Sequence, residues 1–336
     1  MFDADFILYS SDTLASKLKH RPGEERIGEA LVFAESMDSL AALQQQGCQY
    51  ALIGVPEDIG PQGNLGRPGS TTGWLAFLQQ FINLQANQYF DGHGIICLGE
   101  LRVMANTKDL STDAYRTMCA QLDEQVHAIV KQVFAHNLVP IVIGGGHNNA
   151  YPIIKAASET FEMPLAVSNL DPHSDFRATE GRHSGNPFRY AHKDGYLARY
   201  TVAGLHEQKN NRDSLNQLLE LEFPFYSIQK THWQRTENFD QVLEDMARYL
   251  LHSGLPTGVE LDLDVISQMP TSAITAAGLS IDDALYYVSQ MATLPKCRYL
   301  HLAEAAPDAN SPDEMRSVGQ VLAELVSMFI KSRIKE

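Results

Sequence analysis

Pro164-Leu165-Ala166-Val167-Ser168-Asn169-Leu170 runs directly into Asp171-Pro172-His173-Ser174-Asp175-Phe176-Arg177. The first seven residues read as a strand covered on both faces, the kind a parallel sheet buries. The next seven change character, with ionisable groups at every second position. In an extended segment residues two apart share a face, so Asp171, His173, Asp175 and Arg177 are expected to look out together. Carboxylate oxygens and an imidazole nitrogen that converge where a buried strand ends suit a divalent cation, or a pair of them, in an α/β active site. A charged edge strand is the competing reading, and so apolar a lead-in weakens it.

Working outward, eight short apolar runs are expected as strands near 50–55, 94–98, 139–144, 164–171, 199–205, 224–228, 258–264 and 297–304. Helical patterns separate them, as in Ala114 to Asn137, where Met118, Leu122, Val126, Ile129, Val130 and Val133 recur at helical spacing. Other helical stretches run roughly over 239–252, 280–293 and 311–332. The alternation predicts an α/β protein with a mostly parallel eight-stranded sheet between two layers of helices. Residues 1–45 hold a weak strand, at Ile7 to Ser10 or Ala30 to Ala34, and a short helix, and read as an N-terminal extension packed on a domain spanning 46–336. Pro172, which lacks an N–H, implies that sheet pairing has ended by that point.

The chain of 336 residues carries a formal net charge of −15. That charge argues against nucleic acid and against an anionic membrane surface as partners, since both reward basic patches. No apolar run approaches membrane-spanning length, and the start Met1-Phe2-Asp3-Ala4-Asp5 is acidic where a signal peptide would be basic. Four scattered cysteines, Cys48, Cys97, Cys119 and Cys297, form no C-x-x-C pair and fit a reducing cytosol. The expectation is a cytoplasmic protein with a small-molecule ligand.

Two further strand ends carry matching chemistry. Val139-Pro140-Ile141-Val142-Ile143 runs through Gly144-Gly145-Gly146 into His147, and the glycines let the backbone turn sharply there. No phosphate-loop or dinucleotide fingerprint accompanies them. Gly258-Val259-Glu260-Leu261-Asp262-Leu263-Asp264-Val265 puts acids at alternate positions of an apolar run, where carboxylates are costly unless paired or metal-bound. The candidate ligands are then His147, Asp171, His173, Asp175, Asp262 and Asp264. Six exceed what one catalytic zinc takes, whereas two ions sharing carboxylates use them all. The oxygen-rich set favours manganese.

The G-G-G-H, D-x-H-x-D and D-x-D segments, in this order, resemble those of the ureohydrolases: arginase, agmatinase and formimidoylglutamase, which hydrolyse guanidino or amidino C–N bonds. The resemblance runs from about Tyr50 to the C-terminus. It implies a three-layer arginase-like α/β/α fold in which the strands near 139, 297, 258 and 164 lie side by side. It implies two Mn2+ ions per chain, one held by His147, Asp171, Asp175 and Asp262, the other by His173, Asp171, Asp262 and Asp264. It also implies a homo-oligomer, a trimer or hexamer.

Four local features resemble the formimidoylglutamase branch: Gly146 where other members usually have Asp, Arg177 after the second motif, Ser184-Gly185-Asn186-Pro187-Phe188, and Asn64-Leu65-Gly66-Arg67-Pro68-Gly69. The implied reaction converts N-formimidoyl-L-glutamate to L-glutamate and formamide, in histidine degradation, with an activated water as nucleophile. Asp175 would orient that water and relay its proton, and Glu304 would grip the amidinium. Arg177, Ser184 and Asn186 would contact the substrate. Ser184 stands where arginase has a proton-transfer histidine, so the adjacent His183 is the candidate replacement. Arg67, Arg182 and Arg189 are weaker cation candidates, read as surface residues. His301 is expected on the far side of its strand from Glu304. Glu260 is an acid where relatives usually have a small or hydroxylated residue. The alternatives are a guanidino hydrolase that releases urea and a metal-binding member without activity.

Overall fold

The computed structural model describes residues 3–104 and 110–333. Its sheet has nine strands: β1 (Ala4–Leu8), β2 (Tyr50–Gly54), β3 (Ile95–Val103), β4 (Val139–Ile143), β5 (Leu165–Leu170), β6 (Leu197–Leu205), β7 (Phe225–Ser227), β8 (Thr257–Asp262) and β9 (Cys297–Ala303). Their order is β1-β3-β2-β4-β9-β8-β5-β6-β7. All pairings are parallel except β1 with β3.

The expected neighbours near 139, 297, 258 and 164 are β4, β9, β8 and β5, and they do lie side by side. The expected count of eight is corrected to nine by the antiparallel edge strand β1, with Ala4 opposite Val103 and Leu8 opposite Gly99. The weak N-terminal strand thus lies at 4–8, not at 7–10 or 30–34.

Helices cover both faces because the central strands are apolar on both. Leu52, Ile141 and Ile143 pack with Trp74, Phe77, Phe81, Leu322 and Phe329 on one side. Ala51, Ile53 and Val142 pack with Leu122, Val126, Val130 and Ile153 on the other. The helix Thr112–Ala135 starts where the Ser111 side chain accepts the Ala114 N–H, and it buries the apolar stripe read from the sequence. No described helix is long and apolar enough to cross a membrane.

The two aspartate motifs are not continuations of strands. β5 stops at Leu170 and β8 at Asp262, and Leu263–Val265 is a 3-10 turn. The expected extended alternation across 171–177 and 262–264 is therefore corrected. Side chains converge there because the backbone turns.

Candidate metal centre

Four neighbouring strands, β4, β9, β8 and β5, present their carboxyl ends to one spot. After β4, Gly144 and Gly145 take φ of +90° and +71°, a region that favours glycine, and swing His147 into the turn His147–Asn149. A Cβ on Gly146 would lie 2.3 Å from Pro61 Cδ and 2.4 Å from Asn148 Oδ1, so a larger residue there has no room. The buried Glu57 secures this loop by accepting the Gly146 N–H at 2.7 Å and the Asn149 side-chain amide at 2.8 Å.

His147 is fully buried. Its Nδ1 lies 2.9 Å from Asp175 Oδ2, 3.1 Å from Asp171 Oδ2 and 3.4 Å from Asp262 Oδ2. His173 Nδ1 lies 3.5 Å from Asp171 Oδ1 and 3.8 Å from Asp264 Oδ2. Two groups result, His147 with Asp171, Asp175 and Asp262, and His173 with Asp262 and Asp264. Within each, the candidate ligand atoms all lie within 4.8 Å of one another. Asp262 belongs to both, and the two oxygens of Asp171 face one histidine each.

The donor set fits a pair of divalent ions. Neither nitrogen of His147 makes a hydrogen bond, although both are buried and carboxylates surround them. Octahedral ligands about 2.1 Å from an ion sit roughly 3 Å apart, which is the spacing around Nδ1. Burial raises the carboxyls of Asp175, Asp262 and Asp264 above their ordinary values. The charge of Asp264 adds to this for Asp262, and that of Asp171 adds to it for all three. Asp171 is the exception, because His147 and His173 outweigh its burial and hold it low. Acids crowded this tightly call for positive charge.

Two site residues adopt left-handed backbone, Asp175 with φ +46° and Glu304 with φ +67°. Non-glycine residues hold that conformation at a cost of order 1–3 kcal/mol, and such strain gathers at functional sites. Glu304 follows β9, where its N–H reaches Gly145 O at 2.9 Å and its Oε1 accepts the His147 N–H at 2.7 Å. Its Oε2 is buried without a hydrogen-bond partner. Burial, and then the charges of Asp262 and Asp264, raise its carboxyl well above the ordinary range.

A pocket of about 330 Å3 opens onto this cluster. His173, Asp175, Asp262, Asp264 and Glu304 line it, together with Asn64, Arg177, Ser184, Lys209 and Ser272. All six expected ligands thus come together, and Arg177, Ser184 and Glu304 border the same space. Arg177 is exposed, with Nη1 3.3 Å from Asn64 Oδ1.

His183 and Asn186 depart from expectation, since neither lines the pocket. Asn186 is fully buried. Its Oδ1 accepts from Arg182 Nη1 at 2.7 Å, and its amide donates to Gly181 O at 2.8 Å. His183 is buried too, with Nδ1 accepting the Gly185 N–H at 3.1 Å and Nε2 2.9 Å from the Asn186 amide. Both build the loop that presents Ser184.

Arg182 is not a surface residue. It pairs with Asp123 at 2.8 Å and lies over the rings of Tyr151 and Tyr190, at 4.7 and 5.0 Å. Arg189 pairs with Asp213, and Arg67 is exposed outside the pocket lining.

Sequence reasoning missed Lys209, a second cation on the pocket wall, whose Nζ donates to Thr275 Oγ1 at 2.5 Å. The available signal was its place just after β6, at the end of the sheet that carries the ligands. Sequence left Glu260 between two readings, a support behind a ligand and an acid that shifts metal preference. It lies fully buried in β8, where its Oε1 accepts from the Tyr299 hydroxyl at 2.7 Å and its Oε2 lies 2.6 Å from His301 Nδ1. Burial opposes its ionisation, but His301 and His147 outweigh it and hold the carboxyl below its usual value.

The family model for the arginase family matches residues 48–328. A Streptococcus pyogenes protein named formimidoylglutamase is 26% identical over 294 residues, covering 83% of this chain and 84% of its own length. Among solved structures, Trypanosoma cruzi formiminoglutamase with Mn2+ superposes with a TM-score of 0.72 at 21% identity, over 92% of this chain and 98% of that one. Proclavaminate amidino hydrolase from Streptomyces clavuligerus gives a TM-score of 0.68 at 18% identity, over 85% and 92%. At those identities the structural likenesses speak to the fold, and two differently named hydrolases share it.

Proposed function

The chain belongs to the arginase family, and on that footing we propose that it is a two-manganese hydrolase of linear amidines, converting N-formimidoyl-L-glutamate to L-glutamate and formamide. One observation carries the substrate: a single pocket joins the six-ligand cluster and the unpartnered Oε2 of Glu304 to two cations, Arg177 and Lys209. An amidinium that bears two carboxylates has the complementary charges. The names of the sequence relatives support the same reading.

Manganese ions held by His147, Asp171, Asp175 and Asp262, and by His173, Asp171, Asp262 and Asp264, would supply an activated water and positive charge at the reacting carbon. Glu304 Oε2 accepts an amidinium N–H and turns the carbon toward the cluster. Arg177 meets one substrate carboxylate in a bidentate fork, and Lys209 serves the other as a point charge. Water adds to the amidine carbon, and Asp175 takes its proton and passes it to the departing nitrogen. The C–N bond to the glutamate nitrogen breaks, the adduct's remaining hydroxyl proton passes to that amine, and formamide and the ammonium form of glutamate result. Ser184 borders the same space.

The same reading puts the protein in histidine degradation, in the cytoplasm, as a homo-oligomer. Residues 46–336 form the catalytic unit, and the first 45 are an extension that contributes β1. The test is product identity. Manganese-loaded protein given N-formimidoyl-L-glutamate, arginine and agmatine in turn should release formamide from the first and no urea from the others. Urea without formamide would reassign it to the guanidino hydrolases.

A further inference from the structure

We propose that Glu260 is a positioning residue for one of the two metals: it receives the Nε2–H of His147, and Tyr299 and His301 hold it in place to do so. The inference rests on the two-metal reading above.

His147 meets carboxylates at both nitrogens. Asp171, Asp175 and Asp262 gather at Nδ1, whereas Glu260 Oε2 stands 3.3 Å from Nε2. Ligation through Nδ1 leaves the ring proton on Nε2, which is buried and has no hydrogen-bond partner, and Glu260 Oε2 is the carboxylate that stands close enough to take it. A carboxylate on that proton fixes the ring's tautomer and tilt and raises the basicity of the ligating nitrogen.

Glu260 is itself braced. His301 is its register partner across β8 and β9, and Tyr299, two residues earlier, shares His301's face of the strand. Their two contacts, at 2.6 and 2.7 Å, occupy one oxygen each. Sheet pairing sets this brace, so it forms before any metal arrives. Burying an ionised glutamate is expensive, and a neutral residue would fill β8 at less cost. His173 has no such arrangement. It is a quarter exposed, and the carboxylates near it are themselves candidate ligands. The effect therefore belongs to the His147 ion.

His147, Glu260 and His301 also lie close enough to cage a cation of their own. Both Glu260 oxygens already have partners, which favours a proton network there.

The test uses the full chain, stripped of metal and titrated with Mn2+ by calorimetry and electron paramagnetic resonance, beside urea unfolding of the apoprotein. Glu260→Gln should weaken one of two manganese ions by about 10–100-fold and leave the other within a few-fold. Glu260→Asp should recover part of the loss. His301→Asn, which keeps the carboxylate and removes the brace, should weaken the same ion by less, and it serves if Glu260→Gln fails to fold. Unchanged affinities overturn the proposal, as do two affinities that fall together with apoprotein stability. Three ions in the native chain and two in Glu260→Gln would make Glu260 a ligand and also overturn it. A native chain that binds two ions while the variants match it sinks this inference alone. A native chain that binds none sinks the function with it.

Discussion

Asp171 Oδ1 accepts the backbone N–H of His173 at 2.7 Å, so one oxygen folds the turn that brings the next candidate ligand round while the other faces His147. Asp262 does the same for Asp264, also at 2.7 Å. Each motif's first aspartate thus shapes the backbone and offers a candidate ligand atom. Asp171→Asn keeps a turn acceptor and loses a charge. Its apoprotein should keep the turn but lose the pairing of the ionised Asp171 with His147 and His173, and it should bind manganese far more weakly. Asp171→Ala should lose the turn as well, at about 1 kcal/mol of apoprotein stability. Urea unfolding and manganese titration separate the two effects, and native affinity in the asparagine variant would contradict them.

Arg177 and Lys209 border the pocket from the loops that follow β5 and β6. Charge-assisted hydrogen bonds are worth about 1.5–3 kcal/mol, so Arg177→Leu should raise KM for N-formimidoyl-L-glutamate roughly 10–100-fold. Bound metal should stay at the native level. Lys209→Met should raise KM less, because an ammonium meets a carboxylate without the fork geometry. Steady-state kinetics with metal analysis decides it, and an unchanged KM in Arg177→Leu removes that residue from recognition.

The buried pair Arg182–Asp123, 2.8 Å apart, anchors the Ser184 loop to the helix Thr112–Ala135. Losing the cation strands a buried carboxylate, so Arg182→Met should cost about 3–5 kcal/mol in urea unfolding. Adding Asp123→Asn should recover part of that. A loss below 1 kcal/mol for Arg182→Met would show that the pair does not anchor the loop.

His183 has its pKa lowered from 6.5 to about 3, first by burial and then by Arg116, Arg182 and Arg177. A depressed folded-state pKa means that its stability contribution is intact above pH 6.5 and is lost as pH falls toward 3. Over that window the native apoprotein should lose up to about 1.4 kcal/mol per pH unit that His183→Asn does not lose. Denaturation midpoints of both proteins at pH 7 and pH 4.5 give the comparison. Parallel losses would mean that His183 accepts its proton freely when folded.

Much of this was legible in the chain. Strands β2 to β9 declared themselves as short apolar runs with clear ends, and the six ligand candidates were ionisable groups at those ends. The convergence of Asp171, His173 and Asp175 was read correctly for the wrong reason, because alternation along a strand and an aspartate-closed turn leave the same spacing in a sequence. β1 was only weakly marked and was placed at 7–10 or 30–34, because its pairing spans about a hundred residues, from Ala4 to Val103, and its five residues are only partly covered. Arg182 looked superficial because its partner Asp123 lies 59 positions upstream, on another element. Lys209 sat in a polar turn that no spacing rule sets apart. Glu260 stood out as an anomaly, but His301, the residue that explains it, becomes its neighbour only once β8 and β9 pair.

The central claim is that catalysis on an amidine needs both metal positions of the His147 and His173 groups. Metal-free protein titrated with Mn2+ while formamide release from N-formimidoyl-L-glutamate is followed tests it most directly. The account predicts no turnover without metal and a plateau at two equivalents per chain. Full activity at one equivalent, or a fully loaded chain that releases no formamide, would contradict it.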